Sequence, residues 1–245
     1  VQASRDWYLL QEEWILNFDK RFVKSRVEPC LYHIITETLV CIILVHVDDY
    51  AIACNDPEYT KRLINAFSKR FEITNLGRIE QILQMRLTWG KDYVDLDQQR
   101  QISELALQYG QSNCAAPVSP MEHGLHLTPA PVEDPAYAYR SLFGSLLWIA
   151  RCTRPDIMYA VAYLSHFLSS FGQTHWGALL RVLKYLVGTS SEPLRLSAAT
   201  TRTPLPTVDL WSASACATAP NTPTAVMGLL TFLERPPRSM LSPHP

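Results

Sequence analysis

The chain has 245 residues, 47% of them hydrophobic and 18% charged, which suits one large or two small folded domains with a substantial core. Its net charge of −1 excludes a global electrostatic case for nucleic-acid or membrane binding, so any such case must be local. Six scattered cysteines without a C-x-x-C pair argue against zinc or a disulfide framework and fit a reducing interior, and no apolar run approaches the ~20 residues of a membrane span.

The opening "VQASRDWYLL" lacks a signal-peptide layout and an initiator methionine, which leaves a processed chain or a piece of a longer one. Leu10, Trp14 and Phe18 fall at i, i+4, i+8 and predict a helix over residues 7–18. The runs "LYHII" and "LVCIILVHV", then "YAIAC", predict a strand meander interrupted by Asp48 and Asp49. "NDPEYTKRLINAFSKRF" predicts a helix capped by Asp56, with Pro57 in its first turn and Leu63, Ile64, Phe67 and Phe71 as its buried face. "EQILQMRLTWGKDYVDLDQ" alternates around Gly90-Lys91-Asp92 as a hairpin, and "QISELALQYG" is a helix stopped by Gly110. Five prolines between residues 114 and 135 predict a connector with little regular structure.

Three helices are expected next. "RSLFGSLLWIA" is short. "TRPDIMYAVAYLSHFLSSF" has capping-box spacing at Thr153 and Asp156, with an apolar face of Ile157, Val161, Leu164, Leu168 and Phe171. "HWGALLRVLKYLVGT" presents Leu179, Leu183 and Leu186 and stops at Gly188. Nine of the 17 prolines lie in residues 193–245, so this tail is expected to fold poorly, with "TAVMGLLTFL" as a single strand.

Alternation puts Leu44, His46 and Asp48 on one strand face, with Asp49 at the turn. Two carboxylates in an apolar hairpin are costly to bury unless a cation compensates them, and Mg²⁺ takes one or two carboxylates while keeping water and phosphate ligands. Two such ions ~3.5–4 Å apart serve phosphoryl transfer. The plainer reading is structural, because aspartate is common in hairpin turns. Residues alone leave both open.

The surroundings of the pair resemble the reverse transcriptases of copia-type retrotransposons. "HVDD" is similar to that family's Y/H-V-D-D motif, "QASRDWY" to its "LKQAPRAWY", "VEPCLY" to "ADPCLY", "FEITNLGRIEQILQMRL" to "FEMTDLGEIHYFLGIEI" and "PVSPM" to "PVSTPM". The segment from "YRSLFGSLLWIARCTRPDIMYAV" to "RVLKYLVGT" is similar to another family block, and the resemblance covers residues 2 to about 190 in the family's order.

It implies an α+β fold: a partial right-hand polymerase palm (1–90), a mostly helical thumb or connection (91–190), and a degenerate ribonuclease H start or irregular tail (191–245). It implies RNA-directed DNA polymerase chemistry with two Mg²⁺ ions, RNA/DNA template–primer and dNTPs as partners, no membrane, and an intracellular setting, cytoplasmic or nuclear, with virus-like particles in an intact element. Asp48 and Asp49 would be the catalytic metal ligands, and His46 would lie beside the primer end. Gln2 and Arg5 would floor the nucleotide and template pocket, and Ile82, Leu83, Gln84 and Met85 would grip the primer.

Several positions depart from the family. Ser4 stands for Pro, Arg21 for the Gly of "GF", Gln84 for the Gly of "FLGI", and Ala213 for the first ribonuclease H aspartate; Arg235 to Pro245 has lost the pattern. The family's third carboxylate and its fingers precede the first residue here, so the expectation is a fragment inactive on its own.

Between Tyr137 and Gly188, five Arg/Lys (Arg140, Arg151, Arg154, Arg181, Lys184) face the single acid Asp156, which gives +4. Such helices could follow a phosphate backbone, and a non-enzymatic nucleic-acid-binding remnant is the alternative function; the plainer reading is a solvated face. His166 and His175 lack the helical spacing of a metal pair, and Ser141, Ser145 and Ser165 lack a nucleophile-elbow context. An unrelated phosphohydrolase would need further ligands near Asp48, where only Asp56 and Glu58 stand, already explained by a helix cap.

Overall fold

Helix caps and strand alternation are realised as an α+β fold in a computed structural model that describes residues 2–71 and 73–197 and the strands at 209–215 and 226–232. Two compact units divide it, Val1–Ile79 and Glu80–Pro245. Among the described residues no helix is long and apolar enough to cross a membrane.

In the first unit, α1 (Gln2–Phe18) precedes a meander of β1 (Val23–Lys24), β2 (Leu31–Ile35), β3 (Val40–His46) and β4 (Asp49–Cys54), antiparallel and in that spatial order, followed by α2 (Pro57–Arg70). Helix α1 begins five residues before the predicted start at residue 7, because Gln2 to Asp6 suit a helix without carrying the repeat. Alternation sends Tyr32, Ile34, Cys41, Ile43 and Val45 to one sheet face, where Ile15 of α1 and Leu63 and Phe67 of α2 bury them. Each such side chain contributes ~1.5–3 kcal/mol by leaving water. The Asp56 carboxylate accepts from the amides of Glu58 (2.9 Å) and Tyr59 (3.1 Å), the cap the sequence predicts. Ile64 is only half-buried. Arg21 forks onto Asp19, which also accepts from the Tyr59 hydroxyl (3.0 Å). Led by the Arg21 hydrogen bond, these contacts hold the Asp19 carboxyl well below the usual carboxylate range.

The second unit joins β5 (Gln81–Ile82), β6 (Met85–Trp89), β7 (Tyr93–Asp97) and β8 (Leu194–Ser197) in an antiparallel sheet of that order. Strand β8 lies in the tail expected to be irregular. It is four residues long, but it pairs with β7, and Arg195 forks onto Asp95 with both bonds at 2.7 Å. Farther along, β9 (Asp209–Ala215) and β10 (Val226–Phe232) form an antiparallel pair, so the expected single strand has a partner. Ala213 lies on β9 opposite Gly228; Arg235 to Pro245 lies outside the described residues.

Helices α3 (Gln99–Gln108), α4 (Tyr139–Cys152), α5 (Met158–Ser165) and α6 (Gln173–Gly188) build the second core around Leu142, Leu146, Ile149, Val161, Leu183 and Leu186. Gly110 at φ +66 closes α3, with the Gln111 amide donating to Ala106 O (2.7 Å) and the Gly110 amide to Leu107 O (3.2 Å). The capping box at Thr153 and Asp156 does not form. Thr153 ends α4 and donates its hydroxyl to Gln98 (2.9 Å), while residues 155–157 make a 3₁₀ turn before α5. Asp156 instead serves Arg154. That guanidinium, 5% exposed, forks onto Asp156 (3.0 and 2.7 Å) and donates to the Thr189 carbonyl and hydroxyl (2.9 and 2.6 Å). Arg154 thus fastens the α4–α5 corner to the end of α6. Gly188 is the last residue of α6, and its place has no room for a side chain: a Cβ there would lie 2.1 Å from that of Ala116.

Candidate functional site

The strand pair β3–β4 closes through Val47 and Asp48, with His46 and Asp49 as its last matched pair. Asp48 is therefore a turn residue, and Asp49, expected at the turn, opens β4. The exchange follows from a two-residue loop, which admits only residues 47 and 48 between the paired positions. His46, Asp48 and Asp49 are all exposed, so the burial cost anticipated from the apolar run does not arise. The apolar neighbours are buried by alternation while the tip projects. Among the described residues no hydrogen-bond donor or ion-pair partner engages either carboxylate, and the adjacent unpaired anions suit a cation. No group of three or more His, Cys, Asp or Glu side chains gathers among the described residues.

Below the tip, Tyr50 matches Val45 and turns inward against Phe67, 4.9 Å between ring centroids. Burial, with the Asp48 charge adding to it, pushes the Tyr50 phenol up to about 12. Its oxygen is enclosed without a hydrogen-bond partner among the described residues.

Val47 adopts φ +56, a left-handed conformation that a β-branched residue strongly resists. Its carbonyl accepts from Trp7 Nε1 (3.3 Å) and from Gln11 Nε2 (3.2 Å), both on α1. Trp7 is steadied by Phe71, edge-on at 5.4 Å, and Gln11 is 2% exposed. The sequence reading placed function on Gln2 and Arg5 of this helix and missed these two. A signal existed: Trp7, Gln11 and Ile15 recur at i, i+4, i+8, beside the predicted stripe of Leu10, Trp14 and Phe18, and Ile15 is fully buried. Arg5 is exposed two residues before Trp7, and Gln2 opens α1 with its side chain outside the described residues.

Ile82, Leu83, Gln84 and Met85 belong to the second unit, where they form the β5–β6 hairpin. Leu83 and Gln84 are its two turn residues, at φ +50 and +65. A turn with both central residues left-handed favours Asn-Gly, so the position where the resembling family carries glycine is one where the backbone asks for it.

The basic helices differ from expectation. Arg154 is buried on Asp156, Arg140 forks onto Glu133 (2.8 and 2.6 Å), and Arg181 meets Glu122 (3.0 Å). The connector supplies two of these acids, which a count over Tyr137 to Gly188 does not include. His175 caps α6 by accepting from the Gly172 amide (3.1 Å), as packing rather than metal chemistry.

No protein-family model matches the chain, and no solved structure matches it. Curated proteins do. The Retrovirus-related Pol polyprotein from transposon TNT 1-94 of Nicotiana tabacum is 31% identical over 204 residues, 79% of this chain and 15% of that protein. The Retrovirus-related Pol polyproteins from transposons RE2 and RE1 of Arabidopsis thaliana are 31% and 30% identical over 77% and 80% of this chain, and 13% of each polyprotein is covered. The chain thus spans about a seventh of the tobacco polyprotein's length. Its homologues are retrotransposon Pol polyproteins.

Proposed function

We propose that this chain is the palm and helical connection of a retrotransposon reverse transcriptase, contributing to RNA- and DNA-templated DNA synthesis. The observation that carries this reading is the unpaired Asp48–Asp49 pair projecting from a tight hairpin, on a sheet backed by two helices, in a chain similar to Pol polyproteins. Asp48 and Asp49 would hold Mg²⁺, which when bound supplies positive charge for phosphoryl transfer. The hairpin keeps both carboxylates at the surface, where nucleic-acid phosphates and water can complete the ligand set. Template–primer and dNTPs are the proposed partners, with His46 across the hairpin from Asp49 beside the primer end. The hairpin of Ile82 to Met85 is proposed to contact the primer, and Gln2 and Arg5 to floor the nucleotide pocket.

The test replaces the matching stretch of the tobacco polyprotein with residues 2–190 and follows RNA-templated primer extension. Extension is expected, and Asp48→Asn should reduce it ~10²–10³-fold, the usual loss when a charge-stabilising group is removed. Extension that ignores both Asp48→Asn and Asp49→Asn refutes the reading. On its own the 245-residue chain should extend no primer, because no third ligand joins the pair among the described residues.

A further inference from the structure

We infer that Trp7 and Gln11 are positioning residues, which hold the Val47–Asp48 peptide in its strained orientation and thereby aim the Asp48 carboxylate. The functional half of this statement rests on the reading of Asp48 and Asp49 given above; the conformational half does not.

Valine is a poor choice for φ +56. A left-handed residue with a branched Cβ is strained unless its surroundings over-determine it. Glycine would adopt the same turn freely. The first central position of the turn therefore needs an external restraint, and the structure provides two. One carbonyl oxygen has two acceptor sites, and Trp7 Nε1 and Gln11 Nε2 fill both. Rotating this peptide toward a relaxed turn would swing the carbonyl away and leave the Gln11 amide, 2% exposed, without its acceptor. A buried donor left without its acceptor pays its full desolvation penalty, and this opposes relaxation of the turn. The same peptide carries the Asp48 amide, so its orientation fixes where the Asp48 Cα–Cβ bond points.

The donors sit where little else would place them. Trp7, Gln11 and Ile15 lie along one line of α1, and Ile15 is fully buried in the first core. Gln11 has no other side-chain hydrogen-bond partner among the described residues, so a buried amide there serves the turn rather than the core. Two residues of unlike chemistry converge on one oxygen at the base of the acidic tip.

The test uses the full chain labelled with ¹⁵N and ¹³C, and reads the strong intraresidue amide–Hα cross-peak of a left-handed residue at Val47. Gln11→Leu, similar in volume, should reduce that cross-peak to the intensity of extended residues. Trp7→Phe, which keeps a ring against Phe71, should reduce it in part. The double variant Gln11→Leu/Val47→Asn should restore it at residue 47, because asparagine tolerates the left-handed region without a clamp and carries a single Hα. Retention of the cross-peak in both single variants overturns the inference, as does failure of the asparagine rescue with the fold intact by thermal melting. Mn²⁺ titration adds the functional arm: broadening of the Asp48 amide should need about tenfold more metal in Gln11→Leu, and the asparagine double variant should recover wild-type response. Broadening unchanged in Gln11→Leu overturns the aiming role. If wild-type Asp48 does not broaden at all, the polymerase reading fails while the cross-peak result still decides the clamp.

Discussion

Replacing Arg154 with methionine removes the contact that fastens the α4–α5 corner to the end of α6. The arginine side chain is 6% exposed and Asp156 is 39% exposed. Four hydrogen bonds leave with the guanidinium, two to Asp156 and two to Thr189, while methionine retains most of the buried volume over the Tyr185 ring. Removing one partner of a buried ion pair costs ~3–5 kcal/mol. Asp156 can rehydrate and keeps the Tyr185 hydroxyl at 3.0 Å, so the lower end applies, about 3 kcal/mol. At ~2–4 °C per kcal/mol for a unit of this size, calorimetry should show the second unit melting ~6–12 °C lower. Acid titration carries a second signature. Burial opposes ionisation of Asp156, but the Arg154 guanidinium and the Tyr185 hydroxyl outweigh it and hold the carboxyl below its ordinary value of 3.8. A depressed carboxyl stabilises the fold above its unfolded pKa, and that contribution disappears as pH falls through the folded value. Arg154→Met should therefore flatten the loss of stability below about pH 4. A melt lowered by less than ~2 °C, or an undiminished acid dependence, would show that the corner is held by apolar packing alone.

Two further changes probe backbone geometry. Gln84→Gly, at φ +65 in the β5–β6 turn, should stabilise the second unit by ~0.5–1 kcal/mol by relieving left-handed strain, read as a raised urea midpoint at constant slope; a lowered midpoint would refute it. Gly188→Ala should destabilise by ~1–3 kcal/mol because its Cβ would meet that of Ala116 at 2.1 Å, and Ala116→Gly should restore most of the loss.

Elements governed by local rules were readable from the residues. Asp56-Pro57-Glu58 specified the start of α2, Gly110 closed α3, and alternation on both sides of Asp48 specified the β3–β4 hairpin. Misreadings arose where a distant partner decided the outcome. Thr153 and Asp156 had the spacing of a capping box, but each found a stronger partner elsewhere, Gln98 for one and Arg154 for the other. Residues 194–197 carry only four alternating positions, too few for a period, and they become a strand because β7 offers an unpaired edge. Arg140 and Arg181 looked unpaired because Glu133 and Glu122 lie in a proline-rich connector that no helical pattern links to them.

The acidic tip divides along the same line. Asp48 and Asp49 were legible because two like charges inside an apolar run violate local patterning, and such violations concentrate at functional positions. What holds them was not legible, because it crosses 36 to 40 positions of chain: Gln11 and Trp7 reach Val47 only once α1 has packed on the meander. Gln11 in a helix reads as an ordinary polar surface residue, and only its 2% exposure marks it as unusual. Val47 reads as an ordinary strand residue, and only its φ of +56 shows that it is not one. Each residue breaks the rule of its own element, one a polar group in a core and the other a branched residue in a left-handed turn. Each violation is compensated by the other, since the buried amide needs an acceptor and the strained carbonyl needs a donor. That reciprocity ties the orientation of the acidic tip to the packing of α1, so changes to the first core should act on Asp48 before they act on global stability.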